Sequence, residues 1–488
     1  MAKANPFAGY DAGKNFCELF GPPGAKQGDA KSQSGAANPL AKRLSKYNVR
    51  TLNQRNKAAE RELHNLGITF TVYSDAGAID RILPFDPIPR RISQPDWKKI
   101  DSGCRQRVTA LNAFLADIYG KQQIFKDKII PRALVTGNKN FRKEMVGVKL
   151  PHNTYTHISG VDLIRDDKGN FLVLEDNCRS PSGVSYVIEN RHLMMRSFPD
   201  LMEGVKVEPV SNYGQKLRET LRETAPPRIQ NPRVVLLTPG VFNSAYFEHV
   251  FLAREMGVAL VEGRDLIVDE EDRVFMKTIG GLERVHMIYR RIDDEFLDPE
   301  VFRKDSMLGV PGLMRSLKAG KVAIANAVGA GVADDKAVYA YMPRIIKYYL
   351  DEDPILDNVE THICREKESL DYVLEHLEDL VVKPVGESGG YGIVVGPMAS
   401  KAEIAGVRRA IKKNPKNYIA QPMIQLSVSP TLTKNGLRAR HVDLRPFVLT
   451  GKESWVLPGG LTRVAMREGS IIVNSSQGGG SKDTWVLR

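Results

Sequence analysis

Leu174-Glu175-Asp176-Asn177-Cys178-Arg179-Ser180-Pro181-Ser182-Gly183 decides how this chain is read, together with Val381-Val382-Lys383-Pro384 and the glycine-rich run behind it. The first stretch closes an apolar run. Residues 155–164 and 171–175 flank Asp166-Asp167-Lys168-Gly169-Asn170, which predicts two strands joined by a hairpin turn. Positions two apart on a strand share a face, so Glu175 and Asn177 point together while Asp176 points away. Asp162 lies on the first arm of the hairpin. Two carboxylates and an amide are the oxygen donors magnesium takes, with waters and phosphates completing its shell. A lone Glu-x-Asn is equally a pair of solvated groups at a strand end.

The second stretch is a strand ending in lysine, a loop with Gly386, Ser388, Gly389, Gly390 and Gly392, and a further strand over residues 393–395. Such a hairpin flap has bare backbone amides that can close on phosphates. It is not a P-loop, because the Gly-Lys-Ser/Thr ending and the following helix are missing. A surface hairpin without a ligand would not require a lysine before proline or so many glycines together.

The 488 residues are too many for one core and predict two to four lobes. The chain is 42% hydrophobic and 26% charged with a mean hydropathy of −0.29, the composition of a soluble globular protein. No apolar run approaches the ~18 residues of a membrane span, and residues 1–23 contain no signal-peptide core. Four scattered cysteines without a Cys-x-x-Cys pair fit a reducing cytoplasm and argue against structural zinc. The net charge of +12 raises nucleic acid as a partner. The basic residues are spread along the chain, however, and the modest cluster around Lys412-Lys413 has no interleaved aromatics. An enzyme handling phosphates and carboxylates needs cationic side chains in its cleft as well.

Residues 24–45 are small, polar and unpatterned and predict a flexible arm or long loop. Ser93 is placed to cap a helix bearing Val108, Leu111, Leu115 and Ile118. Residues 220–232, with three prolines, predict a linker. Behind it, strands over 233–237, 258–261, 285–289 and 322–325 alternate with helices and predict a mostly parallel sheet covered on both faces. A long helix is expected over 334–350.

Gly160-Val161-Asp162-Leu163-Ile164, the turn, Leu174 to Asn177 and then Arg179-Ser180-Pro181 are similar to the metal-binding end of the glutathione synthetase branch of ATP-grasp ligases. Asp334-Asp335-Lys336 resembles the segment supplying that superfamily's first nucleotide lysine, and Val382-Lys383-Pro384 resembles the second. Tyr418-Ile419-Ala420-Gln421-Pro422-Met423-Ile424 resembles the interlobe strand at the adenine edge, with Gln421 where many relatives have an acid. Val442-Asp443-Leu444-Arg445-Pro446 resembles the strand with a phosphate-facing arginine, and Arg463 offers a second one. The acidic motif precedes all the others here, the reverse of the usual order. The joint pattern, over about residues 60–488, resembles the circularly permuted ATP-grasp family (type 2), akin to glutathionylspermidine synthase-like proteins.

The resemblance implies an α/β fold with α+β lobes, a circularly permuted ATP-grasp fold carrying an additional preATP-grasp-like α/β domain. Its expected parts are an arm and first helix (1–60), a magnesium-binding half (61–225), the α/β domain (233–333) and the nucleotide-binding lobes (334–488). It implies Asp162, Glu175 and Asn177 as magnesium ligands for a pair of ions. ATP would meet Lys336, Lys383, Gly386, Ser388, Gly389, Gly390, Gly392 and Gln421, with Arg445, Arg463 and Arg179 at the reacting phosphate. Arg290 and Arg291 follow a strand, where α/β folds place ligand groups, and an arginine pair can clamp a carboxylate or form ion pairs of its own. Ser182 and Asn326 are further candidates for substrate contact, and residues 474–481 for a cleft-covering loop or a loose tail. Cys178 has no adjacent histidine and reads as a spectator thiol. The implied activity is ATP-dependent carboxylate–amine ligation on small-molecule or peptide substrates. The alternatives are an ATP-binding, non-catalytic partner or scaffold and a basic nucleic-acid binder.

Overall fold

The computed structural model describes residues 5–23, 39–74, 77–385, 392–470, 473 and 478–488. The strand Ile158–Arg165, buried at every position, anchors a nine-stranded sheet. That burial encloses the charged Asp162 and Arg165 together with Val161, Leu163 and Ile164. On one edge it pairs antiparallel with Phe171–Asn177, Asp162 opposite Glu175. On the other edge it meets Gly436–Arg445 (Leu444 opposite Leu163) and Phe447–Thr450 (Phe447 opposite Gly160). A strand from the front third of the chain is thus flanked by strands from its end. Gly436–Arg445 pairs onward to Leu461–Val464, then Gly480–Val486, which runs parallel to Phe85–Ile92.

The helix Gln94–Ile118 covers this sheet with Ile100, Cys104 and Val108, and its Ser93 cap accepts the amide of Asp96 as expected. The predicted parallel sheet is present, in the order Ala323–Ala325, Met287–Arg290, Val234–Leu237, Ala259–Val261. Its helix Tyr246–Met256 stops at Gly257, whose φ of 63° lies in the left-handed region that suits glycine. A third sheet of four strands runs His362–Ile363, Tyr418–Pro422, Leu380–Pro384, Val394–Val395. In it the strand bearing Lys383 pairs antiparallel with Val394–Val395. The helices Lys367–Glu375 and Lys401–Lys413 pack over it through Val373, Ile404 and Ile411.

Three expectations are corrected. The helix over 334–350 is two, Lys336–Ala340 and Met342–Leu350, because Pro343 cannot donate to the preceding turn. The linker over 220–232 begins later, since the helix Tyr213–Glu223 buries Leu217 and Leu221. Of the stretch 24–45, residues 24–38 lie outside the described residues, and the remainder opens with a helix, Pro39–Leu44, anchored by buried Leu40 and Leu44. Ahead of it, residues 5–23 dock on the body through buried Phe7, Phe16, Cys17 and Leu19.

Trp485 sits fully buried in the strand Gly480–Val486, its Nε1 donating to Asp483 at 2.6 Å. Trp485→Ala is expected to cost about 3–5 kcal/mol, the range for truncating a buried aromatic, seen as a lowered unfolding midpoint in denaturant. A loss below about 1 kcal/mol would show that this strand is not part of the core.

Candidate active site

A cleft of about 1220 Å³ opens where the nine-stranded sheet faces the sheet containing Leu380–Pro384 and Tyr418–Pro422. The front of the chain contributes Glu175, Asn177, Arg179 and Ser182 to its wall, and the back contributes Lys336, Lys383, Gln421, Arg445 and Arg463. Residues far apart in sequence therefore face one space.

Alternation along Phe171–Asn177 sets the acidic side. Asp176 turns away and is buried against Arg107, which donates Nε at 2.6 Å and Nη2 at 2.7 Å. Glu175 and Asn177 turn into the cleft. Burial and the neighbouring Asp162 charge push the Glu175 carboxyl up, while Lys336, whose Nζ is 3.9 Å from Glu175 Oε2, pulls it down. The Asn177 Nδ2 is buried without a hydrogen-bond partner. Asp162 is fully buried and does not reach the cleft wall. Its Oδ1 accepts from Arg445 Nε, and its Oδ2 accepts from Arg445 Nη2 at 2.7 Å and from Arg463 Nη2 at 2.6 Å. Arg463 also donates Nε to Asp443 at 3.0 Å. Despite burial, the two guanidiniums hold Asp162 well below the usual carboxylate range. Arg445 further donates Nη1 to the Ser182 carbonyl at 3.3 Å, tying the loop after Asn177 to the same cluster.

On the opposite wall, Lys383 Nζ donates to Gln421 Oε1 at 2.6 Å, and Gln421 Nε2 donates to Thr361 Oγ1 at 2.8 Å. A neutral amide where an acid was an alternative leaves the lysine without a carboxylate partner there. Burial pushes Lys383 down to about 8, against the pull of Glu175. Val359, Ile363, Val381, Pro422, Met423 and Leu426 make this end of the cleft apolar.

Several expected contacts lie elsewhere. Arg290 is fully buried and serves the chain itself, donating to the Asn326 and Ile292 carbonyls at 2.8 and 2.6 Å and pairing with Asp294. Asn326 is saturated by backbone: it accepts the amides of His157 and Ile158 at 2.8 Å and donates to the Ile158 and Cys178 carbonyls at 2.6 and 2.7 Å. Arg291 borders a smaller adjoining cavity instead of the main cleft. Gly386, Ser388, Gly389, Gly390 and residues 474–477 lie outside the described residues. Gly392 has a φ of 72°, and an added Cβ would lie 2.9 Å from Pro384. Cys178 is buried, with its thiol pushed well up, as suits a spectator.

Three cleft groups escaped the sequence reading. Lys139 and Arg365 add cations to the wall. Asp334, pushed up to about 6 by burial, accepts the backbone amides of Cys178 and, at 3.0 Å, Arg179. Gly137-Asn138-Lys139-Asn140 was a legible turn signal; the structure latches it to the Lys336 segment by Asn138 Nδ2 to Asp335 Oδ2 at 2.6 Å and Asn140 Nδ2 to the Gly331 carbonyl at 3.1 Å.

Comparison with known proteins agrees with this architecture. A family model for circularly permuted ATP-grasp type 2 proteins matches residues 89–465, and the chain belongs to that family. The Synechocystis sp. protein sll0335 is 52% identical over 98% of this chain and 98% of its own length. A Frankia casuarinae protein provisionally named glutamate–cysteine ligase 2-2 is 43% identical over 90% of this chain, which spans about half (50%) of that relative. Among solved structures, a glutathione synthetase-like effector from Globodera pallida aligns with a TM-score of 0.60 and 10% identity, over 90% of this chain and 98% of its own. That likeness concerns the fold. The family is one of ATP-grasp ligases, and among the described residues no helix is long and apolar enough to cross a membrane.

Asp162→Asn removes the charge that both guanidiniums share while keeping the side chain's shape. Breaking a buried pair in this way is expected to cost about 3–5 kcal/mol, measured as a lowered unfolding midpoint. A variant as stable as the parent would contradict the role of Asp162 as the buried counter-charge of the cleft.

Proposed function

We propose that this member of the circularly permuted ATP-grasp type 2 family is an ATP-dependent carboxylate–amine ligase that forms an amide through an acyl phosphate. The observation that carries the reading is the convergence of Lys336, Lys383, Arg445 and Arg463 with Glu175 and Asn177 around one cleft. A triphosphate needs such cations on one side and oxygen donors for its counter-ion on the other.

The apolar end of the cleft suits a purine ring. Because the Gln421 side chain is committed to Lys383 and Thr361, the backbone of residues 422–424 is left to read the adenine edge. Lys336 and Lys383 hold the phosphates; the loop residues Gly386, Ser388, Gly389 and Gly390 proposed beside them lie outside the described residues. Arg445 and Arg463, held by Asp162, face the γ-phosphate, with Arg179 at the same wall. A substrate carboxylate attacks the γ-phosphorus and ADP leaves; an amine then attacks the acyl carbon and phosphate leaves. In-line placement and fixed charge do this work, and no protein nucleophile is required.

Magnesium, expected as a pair of ions, fits the donor set. Glu175 and Asn177 offer oxygens on one face, and a cation would relieve the charge that Asp162 imposes on Glu175. Among the described residues no three His, Cys, Asp or Glu side chains form a metal cage, so phosphates and water would complete the shell. Bound there, magnesium offsets the charge of the phosphates. Asp162 acts from behind through its arginines. The provisional ligase name of the Frankia relative supports amino acids, glutamate and cysteine among them, as the substrate pool to try first.

The test is magnesium-dependent ADP release across amino acid, peptide and polyamine pools. Glu175→Gln and Lys383→Met are each expected to lower turnover by roughly 10²–10³-fold, the scale of losing one electrostatic contact to the reacting group, with unchanged circular dichroism. Unchanged turnover would remove the assignment, and ATP binding without turnover would favour the non-catalytic alternative.

The Lys383 ammonium supplies a pH test. Phosphate needs the protonated lysine, whose value in the free protein lies at about 8. Affinity for a non-hydrolysable ATP analogue is therefore expected to fall as pH rises above about 8, by up to ~10-fold per unit. Lys383→Met should bind weakly and lose this dependence. A slope that survives in Lys383→Met would assign it to another group.

A further inference from the structure

Beside the main cleft, at the C-terminal ends of Val234–Leu237 and Met287–Arg290, lies a second cavity of about 280 Å³. It shares Ser180, Ser182 and Asp293 with the cleft, so whatever it holds adjoins that cleft. This is the edge at which open parallel sheets receive ligands.

Two of its polar atoms are uncommitted. The Arg291 side chain is 3% exposed; it donates Nη2 to Glu248 at 3.1 Å and Nη1 to the Pro181 carbonyl at 2.9 Å and to Tyr289 Oη at 3.1 Å, but its Nε has no partner. The Ser180 Oγ is likewise buried without a partner. Buried donors left unused cost free energy that a ligand acceptor would recover. Asp293 precedes the short helix Asp294–Leu297 yet makes no capping bond with its side chain, which is half exposed and 3.6 Å from Arg179. His249 donates no charge: burial pushes it down to about 2, and its Nδ1 is engaged with Thr238 Oγ1 at 2.8 Å. Phe296 and Leu308 supply an apolar floor.

We infer that this cavity is the acceptor subsite and takes a free α-amino acid, its carboxylate on Arg291 Nε and Ser180 and its ammonium toward Asp293, facing the cleft. The volume lies just under the ~300–1,000 Å³ of pockets for larger ligands, which suits one amino acid. Glu248 also accepts the Gly183 amide at 2.7 Å and the Ser185 hydroxyl at 2.8 Å, so the partner of Arg291 fixes the loop that separates the two cavities. The inference rests on the ligase reading of the main cleft. The ammonium gives one proton to water at the half-exposed Asp293 side; the freed nitrogen forms the bond to the acyl carbon, the carbon–oxygen bond to phosphate breaks, and the departing phosphate takes up the nitrogen's second proton.

The test uses the full chain with magnesium and a non-hydrolysable ATP analogue, whose own affinity is measured first by calorimetry. Each of the common L-amino acids is then titrated singly, and the best binder is compared with its N-acetyl and carboxamide derivatives. At least one amino acid is expected to bind, and each derivative to bind at least tenfold more weakly. Asp293→Asn should weaken the amino acid at least tenfold, and Leu308→Trp, which fills the cavity without touching the main cleft, should abolish amino acid binding with the analogue's affinity within twofold. If the analogue binds and no amino acid does, or if Asp293→Asn binds the amino acid normally, the subsite is overturned and the ligase reading stands. If the analogue itself fails to bind, both are overturned.

Discussion

Asp162 is the point on which the cleft depends. A single carboxylate, buried completely, pairs with both Arg445 and Arg463, and these reach it from almost the far end of the chain. Removing it would strand the Arg445 guanidinium in a poorly solvated place, while Arg463 would keep Asp443. The pairing also fixes where they point, because Arg463 is held additionally by Asp443 and Arg445 by the Ser182 carbonyl. Positive charge is thereby delivered to the cleft wall already oriented, the condition under which electrostatic stabilisation is effective.

The same cluster makes physical sense of the motif order. Strand pairing depends on proximity and register, not on which segment is synthesised first. Ile158–Arg165 is flanked by Phe171–Asn177 on one edge and by Gly436–Arg445 and Phe447–Thr450 on the other. The acidic motif, although early in the chain, thus faces Lys383 and Gln421 across one space. Membership of the circularly permuted ATP-grasp type 2 family is consistent with this arrangement.

Local chemistry was readable from the residues themselves, and long-range partnership only through the joint motif pattern. The hairpin around Asp166 to Asn170, the Ser93 cap, the Gly257 stop and the opposite orientations of Glu175 and Asp176 follow from turn signals, capping and the two-residue period of a strand. Arg290 and Asn326 show the limit. An arginine after a strand looks the same in sequence whether it meets a ligand or the carbonyls of its own fold, and here burial gives it to the fold. Glu18 is similar: no periodicity marks it, yet it is buried between Arg90 at 2.6 Å and Arg165 at 3.3 Å and ties residues 5–23 to the large sheet. Pro343, by contrast, marks the break between the two helices in the sequence itself.

The most direct measurement is an experimental structure with a non-hydrolysable ATP analogue and magnesium. The phosphates should lie between Lys383 and Lys336 on one side and Glu175 and Asn177 on the other, within ~3 Å of the lysine nitrogens. An analogue seated away from both groups, with the cleft between them empty, would contradict the assignment of this cleft to nucleotide chemistry.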